Sequence, residues 1–379
     1  MGECRSQDAV PAPFYHRLSH SLLALTLITV ALYLGQDIWV PLSLAVLLAV
    51  LLRPVEAWLI RRGVHKVVAI SLAVLLAMLV LVGITAFISM QIASFTEEWP
   101  KLKQNLTDFY TDAKRWVRRE YNVSNRQQDQ YIKQAQQQLA ENLKGSGSGL
   151  LSTILGPLGT LTLLPIYVFL LLYYRAMLLK FTVELFARSE TARVREILGE
   201  VKTVIQSYMV GLLLEAAAVT GLTAGGLLLL GVQYAVLLGV ITALLNLIPY
   251  VGVLIASGLT ILVSMANSGE ANTLIGVVVL FAVVQFIDNN FLVPLIVAGK
   301  VKVNALVSII GVLLGGALAG VSGMFLSIPA IAMLKVIFDR VEGLEAWGIL
   351  IGDDTPADAR KPLVRLPKWL KFGSKKREA

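Results

Sequence analysis

The sequence predicts an all-α polytopic membrane protein, with six spanning helices, two re-entrant helical hairpins in an inverted repeat, and an amphipathic helical insertion outside the bilayer. Three observations carry this expectation. Of 379 residues, 56% are hydrophobic and only 15% charged, and mean hydropathy is +0.72, whereas a soluble domain carries about 25% charged residues. The apolar residues fall in blocks bounded by charged stretches, the pattern of helices crossing a hydrocarbon core about 30 Å thick. They lack the period-two alternation of a membrane β-barrel. Finally, two blocks are too long, and too interrupted by proline and glycine, for plain spans. Eight full spans is the alternative arrangement.

Residues 1–92 hold three membrane helices: apolar blocks at 18–35 and 38–52, joined by Gly35, Gln36 and Asp37, and a third at 67–92. Residues 93–149 turn polar and Gln-rich. Trp99, Leu102, Leu106, Phe109, Ala113 and Trp116 recur there at helical spacing, which predicts an amphipathic helix outside the bilayer core. Its apolar face needs a neighbouring helix, the membrane surface or another subunit, and a homo-oligomer is expected. Ser124 with Gln127 reads as a capping box opening a second helix, ended by the glycine and serine run at 145–149. Residues 150–205 give a fourth span over 150–174, closing on the interfacial anchor Tyr173, Tyr174 and Arg175, then a charged amphipathic helix.

Residues 206–338 form the C-terminal core: a span at 208–231, an apolar segment at 233–265, an ordinary span at 273–298 and a second long segment at 303–335. As single helices the two long segments would each measure about 50 Å, too long for the core without strong tilt. Residues 339–379 read as a basic tail.

The formal charge of +8 does not indicate nucleic acid, because the cations flank the apolar blocks. They read as topology signals: Lys and Arg number 2 at the N-terminus, 4 in 53–66, 6 in 175–202, 2 in 299–302 and 10 in 335–379. Placing all five groups inside puts both termini in the cytoplasm and the 93–149 insertion outside. Lys300 and Lys302 are then inside while Asn267 to Glu270 stay outside, so both long segments return to the side they entered. The units 208–265 and 273–335 run in opposite directions, an inverted repeat. Cys4 is the only cysteine, so no intrachain disulfide can form.

Three stretches carry candidate function. Asn246, Pro249, Tyr250 and Gly252 break an apolar run, and such backbone must find partners in protein or a water-filled cavity; a simple proline kink is the plainer reading. Asp288 lies in a span among Gln285, Asn289 and Asn290, and Glu215 occupies the comparable part of the preceding span. Intramembrane carboxylates are costly and face the protein interior. Together they form a candidate ion or substrate site, with the three amides offsetting the desolvation of Asp288. The plainer reading has Asp288 capping a broken helix and Glu215 making one interhelical bond. Gly311, Gly315, Gly316, Gly320 and Gly323, followed by Pro329, either allow close packing or form a hairpin tip and hinge.

In this order, the stretch from Asn246 to Gly252, the stretch from Gln285 to Pro294 and the glycine-rich segment ending at Pro329 resemble the signature of the autoinducer-2 exporter family. The layout matches along the whole chain, and the specific motifs lie in 206–335. Val253 and Leu212 depart from the expected proline and glutamine. The resemblance implies a multi-pass permease of the bacterial cytoplasmic membrane. It moves a small solute or signalling molecule outward with H+ or Na+ coupling; sodium–proton antiport and a passive channel are the alternatives. Lipid and a small-molecule or ion substrate are the expected partners.

No cofactor or metal is expected, and no enzyme. Gly320, Val321, Ser322 and Gly323 match GxSG, but His16, His20 and His65 all precede the later spans, leaving that serine no base. HExxH, GxGD and Walker motifs are absent from the sequence.

Overall fold

The computed structural model describes residues 14–91, 163–186, 190–248, 251–267, 271–297 and 303–353. The helix expected around Trp99 to Trp116, the Ser124 capping box and residues 354–379 lie outside the described residues.

Helix α1 spans Phe14–Leu34, α2 Gln36–Arg61 and α3 Lys66–Gln91. Helix α2 runs beyond the apolar block at 38–52 because the charges past that block are internally compensated. Glu56 is buried but pairs at 2.8 Å with Arg53, one turn earlier. Helix α4, Leu164–Tyr173, bends by 66° into α5, Arg175–Glu184. The anchor expected there is also an inter-helix tie, since Lys66 Nζ donates to the Tyr173 carbonyl at 3.0 Å and lies 5.1 Å from that ring's centre. Ala45, Leu52, Ile70, Val168 and Leu172 pack together between α2, α3 and α4. The opposite faces of α1 and α3 carry Leu23, Leu27, Leu79 and Val82, each more than half exposed. Burying such side chains is worth about 1.5–3 kcal/mol each, so this surface calls for an apolar solvent.

Helix α6 is continuous over Thr191–Leu229. The charged segment before the fifth span is therefore partly the same helix as that span, and no proline interrupts it. Its 39 residues extend about 58 Å, so it projects well beyond a hydrocarbon core about 30 Å thick.

Both long segments double back. Helices α7, Ala235–Asn246, and α8, Val251–Asn267, come together where Gly252 lies against the Leu245 carbonyl; a Cβ there would overlap it. Ala235 and Leu238 of one arm pack in one cluster with Ala256 and Val263 of the other. Helix α9, Ala271–Ile287, continues as a π-helical stretch over Asp288–Val297. Helix α10, Ala305–Phe338, leaves helical geometry at Ala319 and at Gly320, where φ is 58°, a region glycine enters at little cost. Ser327 Oγ then donates to the Gly311 carbonyl at 2.8 Å, although residues sixteen apart in a straight helix stand about 24 Å from one another. Gly315 and Gly323 bring the two backbones into contact, and Gly316 meets Met324. Pro329 is fully buried within the second arm.

The two hairpins open toward opposite ends of α6. Asn304 caps α10 by accepting from the Val307 N–H at 2.8 Å. It also donates to the carbonyls of Leu350, Ile351 and Gly352, beside the short α11, Glu345–Ile351. Both ends of the second hairpin thus meet. They do so beside the N-terminal end of α6, where Arg340 pairs with Glu196 and Glu200, and Arg193 pairs with Glu342. Residues 339–353 are therefore folded against the N-terminal end of α6. At the other end of α6, Gly276 of α9 lies against Leu230, and the first hairpin begins at Ala235.

Five described helices are long and apolar enough to cross a membrane, or six if the bent α4–α5 pair is one span. That count takes α10 as one helix.

Candidate functional site

The register of α6 against α9 is set by two glycines. Gly226 admits Leu280 and Gly276 admits Leu230, so the helices run antiparallel and in close contact. Farther along, Val219 meets Val284, with Ala243 of α7 completing the cluster. One more turn brings Glu215 opposite Asp288. Gly239 packs α7 against α6 at Ala224 and Thr220, which carries the end of α7 to the same depth.

Asn246, the last residue of α7, bridges the two acids. Its Nδ2 donates to Glu215 Oε1 at 2.9 Å and to Asp288 Oδ2 at 3.3 Å. Glu215 is 7% exposed and Asp288 4%. Ionised carboxylates only accept, so the amide must present its NH2 group to them. One NH2 therefore serves two acids, and among the described residues Asp288 Oδ1 is buried with no hydrogen-bond partner. Two carboxylates in a low-dielectric interior are tolerated together only with compensating positive charge. No lysine or arginine supplies it among the described ion pairs. The arrangement can hold a proton or a small cation at the open Oδ1.

Asp288 also marks the junction where α9 changes from α to π geometry, a local widening that recurs at functional sites. Pro294 lacks the N–H that would close an α-helical bond back to Asn290.

The structure brings Glu215, Asn246 and Asp288 together and gives the other amides partners of their own. Gln285 Nε2 donates to Asn289 Oδ1 at 3.1 Å and Asn290 Nδ2 to the Phe286 carbonyl at 2.8 Å. Asn289 and Asn290 are exposed. The offset for Asp288 comes from Asn246, on another helix. Gly252 lies against the backbone of Leu245 and Asn246, while Pro249 and Tyr250 lie outside the described residues. Gly311, Gly315, Gly316 and Gly323 line the contact between the two arms of α10, and Gly320 forms its tip. In the sequence Arg53, Arg195 and Lys202 stand only as topology signals and Arg175 also as an interfacial anchor, yet they converge on one cavity. Their clue was helical spacing, since Arg195 and Lys202 are seven apart and share a face.

Long apolar helices, lipid-facing side chains and a buried polar site at a helix break define a multi-pass membrane protein of the transporter class. The chain belongs to the AI-2E family of transporters, whose family profile matches residues 22–343. It is 28% identical to YrrI of Bacillus subtilis (strain 168) over 317 residues, covering 80% of this chain and 86% of YrrI. It is 27% identical to YhhT of Escherichia coli (strain K12) over 340 residues, covering 88% of this chain and 94% of YhhT. Identity to the AI-2 transport protein TqsA of Escherichia coli (strain K12) is 26% over 334 residues, covering 87% and 93%. The chain is therefore a transporter or permease and a multi-pass bacterial membrane protein, and its family is one of transporters, not of enzymes.

Proposed function

We propose that this permease is an ion-coupled secondary transporter that carries a small solute or signalling molecule out of the cell, with Glu215, Asn246 and Asp288 as its coupling site. The supporting observation is the single Asn246 amide shared by two buried acids, one of which keeps an unpartnered oxygen. Binding a proton or sodium ion there changes the charge balance that holds α6, α7 and α9 together. The name of TqsA makes AI-2 the first solute to try. The same open oxygen favours one second reading, sodium–proton exchange without an organic solute.

In this reading both hairpins are re-entrant in the inner membrane, with the termini and the end of α6 bearing Arg193 in the cytoplasm and residues 93–149 outside. Arms of 12 and 17 residues in the first hairpin reach only about 18 and 26 Å, short of a core about 30 Å thick. Gly320 serves as the hinge of the second. The purified chain in liposomes with imposed pH or sodium gradients should show saturable solute flux that follows the gradient. Flux that neither saturates nor responds to either gradient would make it a passive channel, and ion exchange with no solute requirement would make it an antiporter.

A further inference from the structure

Away from the carboxylate site, α2, α4, α5 and the start of α6 line an open cavity of about 1180 Å³. Its lining is of two chemical kinds. Val46, Ala49, Leu171 and Leu172 form an apolar wall from the spanning parts of α2 and α4. Five cations line the cavity, Arg53, Arg175, Lys180, Arg195 and Lys202, against one carboxylate, Glu184.

The local pairs leave an excess of positive charge. Glu184 lies 3.7 Å from Lys180, and Arg53 holds the buried Glu56 at 2.8 Å. Among the described residues no ion pair holds Arg175, Arg195 or Lys202. Three cations from two helices, α5 and α6, therefore converge on one space without carboxylates to match them.

We infer that this cavity binds an anionic phospholipid, its phosphate headgroup among Arg175, Arg195 and Lys202 and an acyl chain along the Val46 and Leu171 wall. Guanidinium groups present paired donors to phosphate oxygens, and basic pockets beside spanning helices are suited to such headgroups. A free phosphate would satisfy the cations but leave the apolar wall uncovered; a neutral lipid would cover the wall and leave the cations unmatched. The amphiphile matches both. Because α6 carries both Lys202 and Glu215 on one helix, the lipid would hold the helix that bears one of the site's acids.

The test is native mass spectrometry of the full-length chain in detergent, titrated separately with phosphatidylglycerol, phosphatidylcholine of the same acyl length, and inorganic phosphate. Phosphatidylglycerol should be retained at least about tenfold more tightly than phosphatidylcholine. Each cation near an anionic lipid surface contributes about 1 kcal/mol, so Arg195→Gln with Lys202→Gln should weaken retention at least about tenfold. Both side chains are exposed, so the change should spare the fold, as helix content by circular dichroism would report; Arg195→Lys with Lys202→Arg keeps the charge and should retain the lipid. Equal retention of the two lipids, unchanged retention by the glutamine variant, or displacement of phosphatidylglycerol by equimolar inorganic phosphate would each overturn the inference. None of these readouts depends on transport or on the carboxylate site.

Discussion

Asn246→Ala removes the one donor that Glu215 and Asp288 share, leaving two buried carboxylates without it. Interhelical hydrogen bonds inside membrane proteins average about 0.6 kcal/mol and reach about 1.7 kcal/mol. Losing two should therefore destabilise the chain by about 1 to 3 kcal/mol, with the 2.9 Å bond to Glu215 contributing the larger part. Reversible unfolding in mixed micelles measures this. The decisive comparison uses a second background, Glu215→Leu with Asp288→Leu, where no acceptor remains. There the same truncation should cost less than about 0.5 kcal/mol, because interacting groups are non-additive and independent ones add. An equal cost in both backgrounds would refute the shared-donor geometry, since Asn246 would then act only through packing.

Gly315→Ala should destabilise the chain by about 1–3 kcal/mol through overpacking, because the new methyl overlaps the Gly323 backbone and Ser327. Gly258→Ala, which faces open space, should stay within about 0.5 kcal/mol in the same unfolding assay; equal effects would deny the close contact of the two arms. In a Cys4→Ser background, an impermeant thiol label should reach cysteines at Gln127 and Asn267 from outside and at Lys300 only once the membrane is opened. Outside labelling at 300 would reverse the proposed direction of the second unit. Arg340→Gln removes the ion pairs to Glu196 and Glu200 and, these being partly exposed, should cost less than about 1 kcal/mol. Hydrogen exchange over 339–353 should nonetheless quicken, and unchanged exchange would show that those pairs do not hold the segment.

The contact between the two arms of each long C-terminal segment was legible in length, proline and glycine. A 33-residue apolar run with a glycine series at its middle conflicts with bilayer thickness, and Gly320 turns where that conflict predicts. The acids were legible for a similar reason, since a carboxylate inside an apolar span must find a partner. Which partner was not legible. Gln285 and Asn289 are four apart on one helix and satisfy each other, whereas Asn246 reaches Asp288 only because Gly226, Gly239 and Gly276 allow three helices to approach closely. Those glycines look like ordinary membrane-helix residues until their neighbours are known. The π stretch from Asp288 is likewise a tertiary outcome. Continuity of α6 through Thr191–Leu229 was missed because charge was read as marking a helix end, although a helix can leave the bilayer without ending.

Asp288→Asn keeps the side chain's shape and its place against Asn246 while removing the charge that ion coupling requires. The full chain carrying this change should insert, keep the wild-type mass in detergent and bind lipid as before. In liposomes with an imposed proton or sodium gradient, its gradient-driven solute movement should fall to the level of protein-free vesicles. Wild-type gradient-driven movement by Asp288→Asn would contradict a coupling role and leave the acid as a structural partner of Asn246.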